Sequence, residues 1–170
     1  GEPLCWLAFG PFATAAALLV LAPSSSHDSG IPWATALTLG SGPALATTLV
    51  LFCSHFHQVA EDAAHGKQSP LVRLGTRKAA GLVPWLIALI LALEWTPVIR
   101  GQWPITALIG SVGLPAGTAL IRLLHNHHNQ PELISGSKFL ALRFQTLNGL
   151  GLSLGLAMAP LLGMDLGSLS

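Results

Sequence analysis

The sequence predicts an all-α protein, a multi-pass transmembrane bundle of about five spanning helices that forms one domain over residues 1–170. Hydrophobic residues make up 51% of the chain, charged residues 9%, and the mean hydropathy is +0.61. Soluble domains carry about 25% charged residues. Eight basic and seven acidic side chains are too few to cover a soluble core of this composition. A span needs about 20 mostly apolar residues, and five apolar runs qualify as candidates: Leu4–Ala22, Pro32–Cys53, Ala80–Leu93, Pro104–Leu124 and Phe139–Leu162.

The first three runs differ in how clearly they predict a span. Leu4–Ala22 is predicted to be a true span rather than a signal peptide, because Glu2 stands where a signal peptide has basic residues. Pro32–Cys53 is long and without charge. Ala80–Leu93 has only 14 residues before Glu94, so this helix must either continue to Ile99 or remain short.

The last two runs combine small residues with a few polar ones. Glycines four residues apart allow helices to approach closely, and they occur as Gly113 with Gly117 and as Gly151 with Gly155. Polar side chains inside a span indicate a functional role by default. Three of them enter the last run: Arg143, Gln145 and Asn148.

The basic residues predict the orientation of the bundle, since short loops rich in Lys and Arg stay on the cytoplasmic side. Six of them lie in or beside the second and fourth loops: Lys67, Arg73, Arg77, Lys78, Arg122 and Lys138. The stretch 24–30 has none, and the 94–103 connection has only Arg100. The second and fourth loops should therefore share the cytoplasmic face, together with the start of the chain.

The second loop contains the densest group of chemically active side chains. If the preceding helix continues past Cys53, one face of it presents His55, Gln58, Asp62 and His65. Gly66 is a typical C-terminal stop for such a helix.

This loop has the residue types of a magnesium diphosphate site. Mg²⁺ binds through one or two carboxylates together with substrate phosphates, and Asp62 and Glu61 are carboxylates at the membrane surface. Lys67 and Arg73 supply cations for phosphate oxygens. The alternative is a solvated loop whose basic residues reflect only the positive-inside rule.

The loop resembles the second acidic motif of the UbiA-type membrane prenyltransferases, and within them the 1,4-dihydroxy-2-naphthoate phytyltransferases. The matching residues are Gln58-Val59-Ala60-Glu61-Asp62, Gly66-Lys67, Ser69-Pro70 and Val72-Arg73-Leu74-Gly75. Similar stretches precede the last span and the first: His127-His128-Asn129-Gln130-Pro131-Glu132, Ser137-Lys138-Phe139 and Gly1-Glu2-Pro3-Leu4.

The resemblance implies the later part, the fifth to ninth helices, of a nine-helix fold in which two acidic motifs hold Mg²⁺. The first motif, of the Asn-Asp-x-x-Asp type, is absent from this sequence. We therefore expect the remaining N-terminal half in cis or as a partner chain. Position 58 is Gln where the family has Asp, so Glu61 is expected to restore the lost charge.

The resemblance further implies transfer of a phytyl or other polyprenyl group from its diphosphate to 1,4-dihydroxy-2-naphthoate, in phylloquinone or menaquinone biosynthesis. By position in the motif, Asp62, Lys67 and Arg73 are the expected catalytic residues. Lys67, Arg73 and Gln58 would bind the diphosphate, and Asp62, Glu61 and Gln58 would bind the metal. The expected location is a plasma, inner or thylakoid membrane with the 54–79 loop on the cytoplasmic side, and no nucleic-acid partner is expected.

Two other functions remain open from the residues. His125, His127 and His128, with His55 and His57, are compatible with a histidine-ligated membrane metal oxidoreductase. Kinked helices with polar residues near the midplane are also typical of transporters, of which this chain would be a fragment.

Overall fold

The computed structural model describes residues 1–21 and 30–163, and within these ranges the chain is helical with no strand, which confirms the all-α prediction. The α-helices are α1 (Glu2–Leu21), α2 (Trp33–Ser54), α3 (Val59–Ala64), α4 (Pro70–Leu74), α5 (Thr76–Ile99), α6 (Leu114–His127), α7 (Pro131–Ile134) and α8 (Ser137–Met158). Three 3₁₀ segments accompany them: His55–His57, Ile105–Gly113 and Pro160–Leu162. Within α1, Ala8–Phe12 is π-helical around Pro11.

Four of the five predicted spans form helices long and apolar enough to cross a membrane: Glu2–Leu21, Trp33–His57, Thr76–Ile99 and Ile105–His127. The fifth run forms α8, whose 22 residues extend about 33 Å. α8 is not among the four apolar helices, because Lys138 and the three polar residues predicted to enter this run lower its hydropathy. The predicted end of the first run, Ala22, and most of the 24–30 stretch lie outside the described residues.

The third run continues through Glu94 to Ile99, which settles its length. Glu94 is buried, and its Oε2 accepts a 2.8 Å hydrogen bond from Asn148 Nδ2 on α8. Gly42 on α2 makes the space, since a Cβ there would lie 2.7 Å from Glu94 Cγ. A paired carboxyl is compatible with a buried helix position, so α5 need not end at this residue.

Glycines set the closest helix contacts, as the spacing predicted. A Cβ at Gly151 of α8 would lie 2.5 Å from the Ile109 carbonyl oxygen in the 3₁₀ segment 105–113, and one at Gly113 would lie 2.8 Å from the Phe144 carbonyl oxygen. On the other side of the bundle, Gly10 of α1 meets Gly40 of α2 in the same way. α1 is therefore packed into the bundle.

Contacts between distant residues place the second and fourth loops and the start of α1 at one end of the bundle. Ser137 Oγ, at the start of α8, donates to the Cys53 carbonyl over 3.3 Å, and Thr76 Oγ1 lies 3.2 Å from His128 Nδ1. Glu2 reaches His55 at the same end. The prediction that the two basic loops share a face is confirmed. The main core lies just inside this end, and its largest fully buried side chains include Phe56, Phe144, Leu49, Leu71 and Ile90.

Candidate functional site

The second loop folds back on itself because of two local breaks in the helix. The helix does not continue unbroken past Cys53, the condition on which the shared face depended: α2 ends at Ser54, one 3₁₀ turn follows, and α3 begins at Val59. Gly66 then ends α3 as predicted, with a φ of 69° that favours glycine. The Lys67 amide donates to the Asp62 carbonyl over 2.8 Å, so the chain reverses directly beyond Asp62.

This reversal joins Lys67 to Asp62. Lys67 Nζ lies 3.0 Å from Asp62 Oδ1 and donates to it, with 8% of the Asp62 side chain exposed and 54% of the Lys67 side chain exposed. The Lys67 ammonium holds the pKa of the Asp62 carboxyl below its usual range, against the opposing effect of burial. Asp62 is therefore an ionised, fixed carboxylate at physiological pH.

His55 and Glu2 complete the cluster, and the sequence reasoning missed both roles. His55 Nδ1 lies 3.3 Å from Asp62 Oδ2, and His55 Nε2 lies 3.6 Å from Glu2 Oε1. The imidazole ring thus stands between two carboxylates, one from α1 and one from α3. The sequence could have indicated the role of His55, because His55 and Asp62 were expected on the same helical face. Glu2 stands 53 residues away from His55, and only helix packing reveals their contact.

A cavity of about 690 Å³, called the polar cavity because charged side chains form part of its wall, opens beside this cluster. Arg73, in the last turn of α4, shares its wall with Lys67, so two of the three expected catalytic residues line one cavity. Its lining residues are Gly1, Glu2, Leu51, His55, Lys67, Gln68, Ser69, Pro70, Arg73 and Leu74. Polar side chains of this wall other than Lys67 and Arg73 are Glu2, whose Oε1 lies 3.6 Å from His55 Nε2, and the neighbouring residues Gln68 and Ser69.

An apolar groove of about 440 Å³ continues from the polar cavity. The two share Glu2, Pro70 and Leu74. The rest of the groove is lined by side chains of α1, α2 and α5: Pro3, Trp6, Leu45, Thr48, Leu49, Phe52, Leu82 and Leu86. The site therefore offers a charged compartment followed by a hydrocarbon-like one, in the direction of the membrane interior.

The expected metal ligands are less closely grouped than the motif implied. Glu61 is exposed, and its carbonyl rather than its carboxylate is engaged, by the His65 ring at 2.8 Å. Gln58 is half-buried at the start of α3 and does not line the polar cavity. Within residues 1–21 and 30–163, no group of three His, Cys, Asp or Glu side chains is arranged to hold a metal ion.

A magnesium ion at this cluster would need most of its ligands from phosphate and water. Asp62 does not line the polar cavity; its Oδ1 is paired with Lys67, and its Oδ2 lies 3.3 Å from His55 Nδ1. Because the His55 ring separates Asp62 from Glu2, the cluster offers Asp62 as one carboxylate ligand. Mg²⁺ is commonly bound by one or two carboxylates while substrate phosphates and water fill the other positions.

The histidines near the fourth loop do not form a metal cluster. Each ring has a different partner: His125 Nδ1 lies 3.2 Å from Asn126 Oδ1, His127 Nδ1 lies 3.0 Å from Gln130 Oε1, and His128 contacts Thr76. This arrangement does not favour the metal oxidoreductase. The transporter alternative is not favoured either, because the polar residues of the last span do not line one common path: Asn148 is buried against Glu94, whereas Arg143 is exposed.

Comparison with known proteins supports the resemblance seen in the loop motif. The chain is 41% identical over 164 residues to the chloroplastic 2-carboxy-1,4-naphthoquinone phytyltransferase of Arabidopsis thaliana. The aligned region covers 94% of this chain and 42% of that protein. It is 35% identical over 161 residues to the 2-carboxy-1,4-naphthoquinone phytyltransferase of Synechocystis sp., and this aligned region covers 95% of this chain and 50% of that protein. No family model and no solved structure matches. The resemblance to the phytyltransferases is confirmed, and the chain spans about half the length of the curated relatives it matches.

Proposed function

From this similarity, we propose that the chain forms the diphosphate-binding part of an aromatic prenyltransferase in quinone biosynthesis. The donor is a phytyl or other polyprenyl diphosphate, the acceptor is 1,4-dihydroxy-2-naphthoate, and the product leads to phylloquinone or menaquinone. The observation that carries the proposal is the polar cavity that continues into an apolar groove. A prenyl diphosphate has the same division into a charged head and a hydrocarbon tail.

The polar cavity has cations free to bind the diphosphate. No carboxylate of the described residues lies within ion-pair distance of Arg73, so its guanidinium is available for bidentate contact with phosphate oxygens. Lys67 is paired with Asp62 but leaves two further ammonium protons for donation. Gln68 and Ser69 lie on the same wall.

The apolar groove suits the tail and protects the reaction from water. Its walls at Trp6, Leu49 and Leu86 offer hydrocarbon surface to the isoprenoid chain. Exclusion of water matters here because an allylic cation is rapidly captured by water if it is exposed to it.

The proposed reaction breaks the carbon–oxygen bond of the donor, and the electron pair leaves with the diphosphate. Lys67 and Arg73 stabilise the charge that grows on the departing phosphate oxygens. Magnesium, when bound through Asp62 and phosphate, adds Lewis-acid stabilisation of the same charge. The electron-rich ring then forms the new carbon–carbon bond, and loss of carbon dioxide from the carboxyl-bearing carbon restores aromaticity. The reduced acceptor is required, since a quinone ring is too electron-poor to attack a cation.

Part of the site is expected from outside this sequence. The first acidic motif and its carboxylates would come from an N-terminal half, in cis or as a partner chain. We place the assembly in a plasma, inner or thylakoid membrane with the 54–79 loop on the cytoplasmic side, in agreement with the basic residues of both loops at that end.

Ligand-dependent thermal stability in detergent tests the proposal. Phytyl diphosphate with Mg²⁺ should raise the melting temperature of the wild-type protein, because a ligand that binds only the folded form stabilises it. Lys67→Met and Arg73→Gln should each weaken binding by about tenfold or more, since hydrogen bonds to charged groups contribute about 1.5–3 kcal/mol. Arg122→Gln is the matched control, because Arg122 is an exposed cation that does not line the cavity. Equal binding by all three variants would refute the assignment.

A further inference from the structure

A second polar cavity, of about 450 Å³, lies between α5 and α6 at the same end of the bundle. Its lining residues are Arg77, Ala80, Gly81, Pro84, Ile121, His125 and His128. None of them lines the polar cavity or the apolar groove described above. This cavity is therefore separate from the proposed prenyl-diphosphate site.

The polar side of the cavity carries positive charge without a compensating acid. Arg77 is exposed in the first turn of α5, and no carboxylate of the described residues lies within ion-pair distance of it. No acidic residue lines the cavity. The backbone N–H groups of the first turn of a long helix add a further preference for anions.

The contact between Thr76 and His128 brings a second polar pair to the same cavity. Thr76 Oγ1 lies 3.2 Å from His128 Nδ1. When the hydroxyl donates to Nδ1, Nε2 carries the ring proton and is a hydrogen-bond donor. Arg77 and His128 thus supply donors from two different helices.

The other side of the cavity is apolar and open. Ala80, Pro84 and Ile121 form it, and a Cβ built at Gly81 meets no atom within 4 Å. A basic rim over an apolar floor, between two helices at the surface with the excess of Lys and Arg, matches the boundary between lipid headgroups and acyl chains.

We propose that this cavity binds a phosphate group, supplied by an anionic membrane lipid whose glycerol and first acyl carbons contact the apolar floor. Arg77 binds the phosphate oxygens in a bidentate manner, and His128 Nε2 donates a further hydrogen bond. The bound lipid connects α5 to α6 beside the loop that holds Lys67 and Arg73.

Native mass spectrometry of the purified chain in detergent tests this site by titration with phosphatidylglycerol and, separately, phosphatidylcholine. We expect saturable binding of phosphatidylglycerol, which Arg77→Gln weakens by roughly fivefold, the factor for about 1 kcal/mol per basic residue. Lys78→Gln is the matched control, since it removes the same charge from the adjacent position, which does not line the cavity. Gly81→Leu should also abolish binding, because its side chain fills the open space without a change of charge.

The outcomes separate the sources of the phosphate and can overturn the site. If inorganic phosphate alone stabilises the wild type but not Arg77→Gln, the ligand is free phosphate. If phosphatidylglycerol binds and inorganic phosphate does not stabilise the protein, the ligand is the lipid. Equal losses in Arg77→Gln and Lys78→Gln would show only general charge attraction and refute the site. Tight phosphatidylglycerol binding by a folded Gly81→Leu protein would refute it as well.

Discussion

Two glycines two residues apart on α8 should respond in opposite ways to the same substitution. Gly151 faces the 3₁₀ segment 105–113, whereas a Cβ at Gly149 would meet nothing within 4 Å. Replacement of either by alanine adds one methyl group in the interior of the same helix. The difference between the variants therefore isolates the contact with the neighbouring segment.

The size of the effect follows from the contact distances. The new methyl at 151 would lie 2.5 Å from the Ile109 carbonyl oxygen and 3.1 Å from Gly110 Cα, where ordinary contact begins at 3.4 Å. These are backbone atoms, so the segment must withdraw by about 0.9 Å, and overpacking of this kind costs about 1–3 kcal/mol. Gly149→Ala avoids this cost and gains up to about 1 kcal/mol of helix propensity.

Thermal unfolding of both variants in one detergent gives the comparison. We expect Gly149→Ala to melt at or above the wild-type temperature and Gly151→Ala to melt below it. The two variants should differ by about 2–12 °C, since 1 kcal/mol corresponds to about 2–4 °C in a chain of this size. A Gly151→Ala protein as stable as Gly149→Ala would show that α8 does not pack closely against this segment.

Three further predictions concern buried polar groups and the apolar groove. Glu94→Gln keeps the acceptor for Asn148 and should melt close to the wild type, whereas Glu94→Leu should lose about 1–3 kcal/mol; equal melting temperatures would contradict the role of this bond. The pKa of Asp62 is lower in the folded protein than in the unfolded chain. The contribution of ionised Asp62 to the free energy of unfolding is therefore complete above the ordinary aspartate pKa of about 3.9, and it is lost as the pH falls through the pKa of the folded state. The melting-temperature difference between wild type and Lys67→Met should therefore be largest near pH 7 and shrink below about pH 4, and a constant difference would exclude this linkage. Leu86→Trp should fill the apolar groove and weaken phytyl diphosphate binding but leave pyrophosphate binding unchanged in the same titration; a parallel loss of both would show that the groove does not hold the tail.

The sequence predicted which charged residues belong to the site better than it predicted how they are arranged. Lys67 and Arg73 were predicted from the motif, and both line the polar cavity. The prediction that one helical face presents His55, Gln58, Asp62 and His65 was less successful, because the 3₁₀ turn after Ser54 changes the angle between successive side chains. Glu61 is exposed, and whether it or Gln58 helps to bind magnesium stays a prediction.

Contacts between distant elements were beyond periodicity arguments. Glu2 was considered as evidence against a signal peptide and as part of the resemblance but not as a site residue, yet helix packing brings its carboxylate to His55. The buried pair of Glu94 and Asn148 was missed for the same reason, since Glu94 was considered only as an interruption of its run and Asn148 only as a polar residue of the last span. Four of the five spans, the common end of the two basic loops and the small-residue contacts were predictable because they depend on local composition.

The pair between Glu94 and Asn148 also bears on how the chain is made. The two residues are 54 positions apart, so α5 leaves the ribosome well before its partner on α8 exists. At about 5–20 residues per second, the interval is roughly 3–10 seconds. During that time α5 carries an unpartnered carboxyl, which is unfavourable in lipid. Membrane insertion of this chain therefore has to accommodate a polar group in α5 for several seconds before α8 completes the pair.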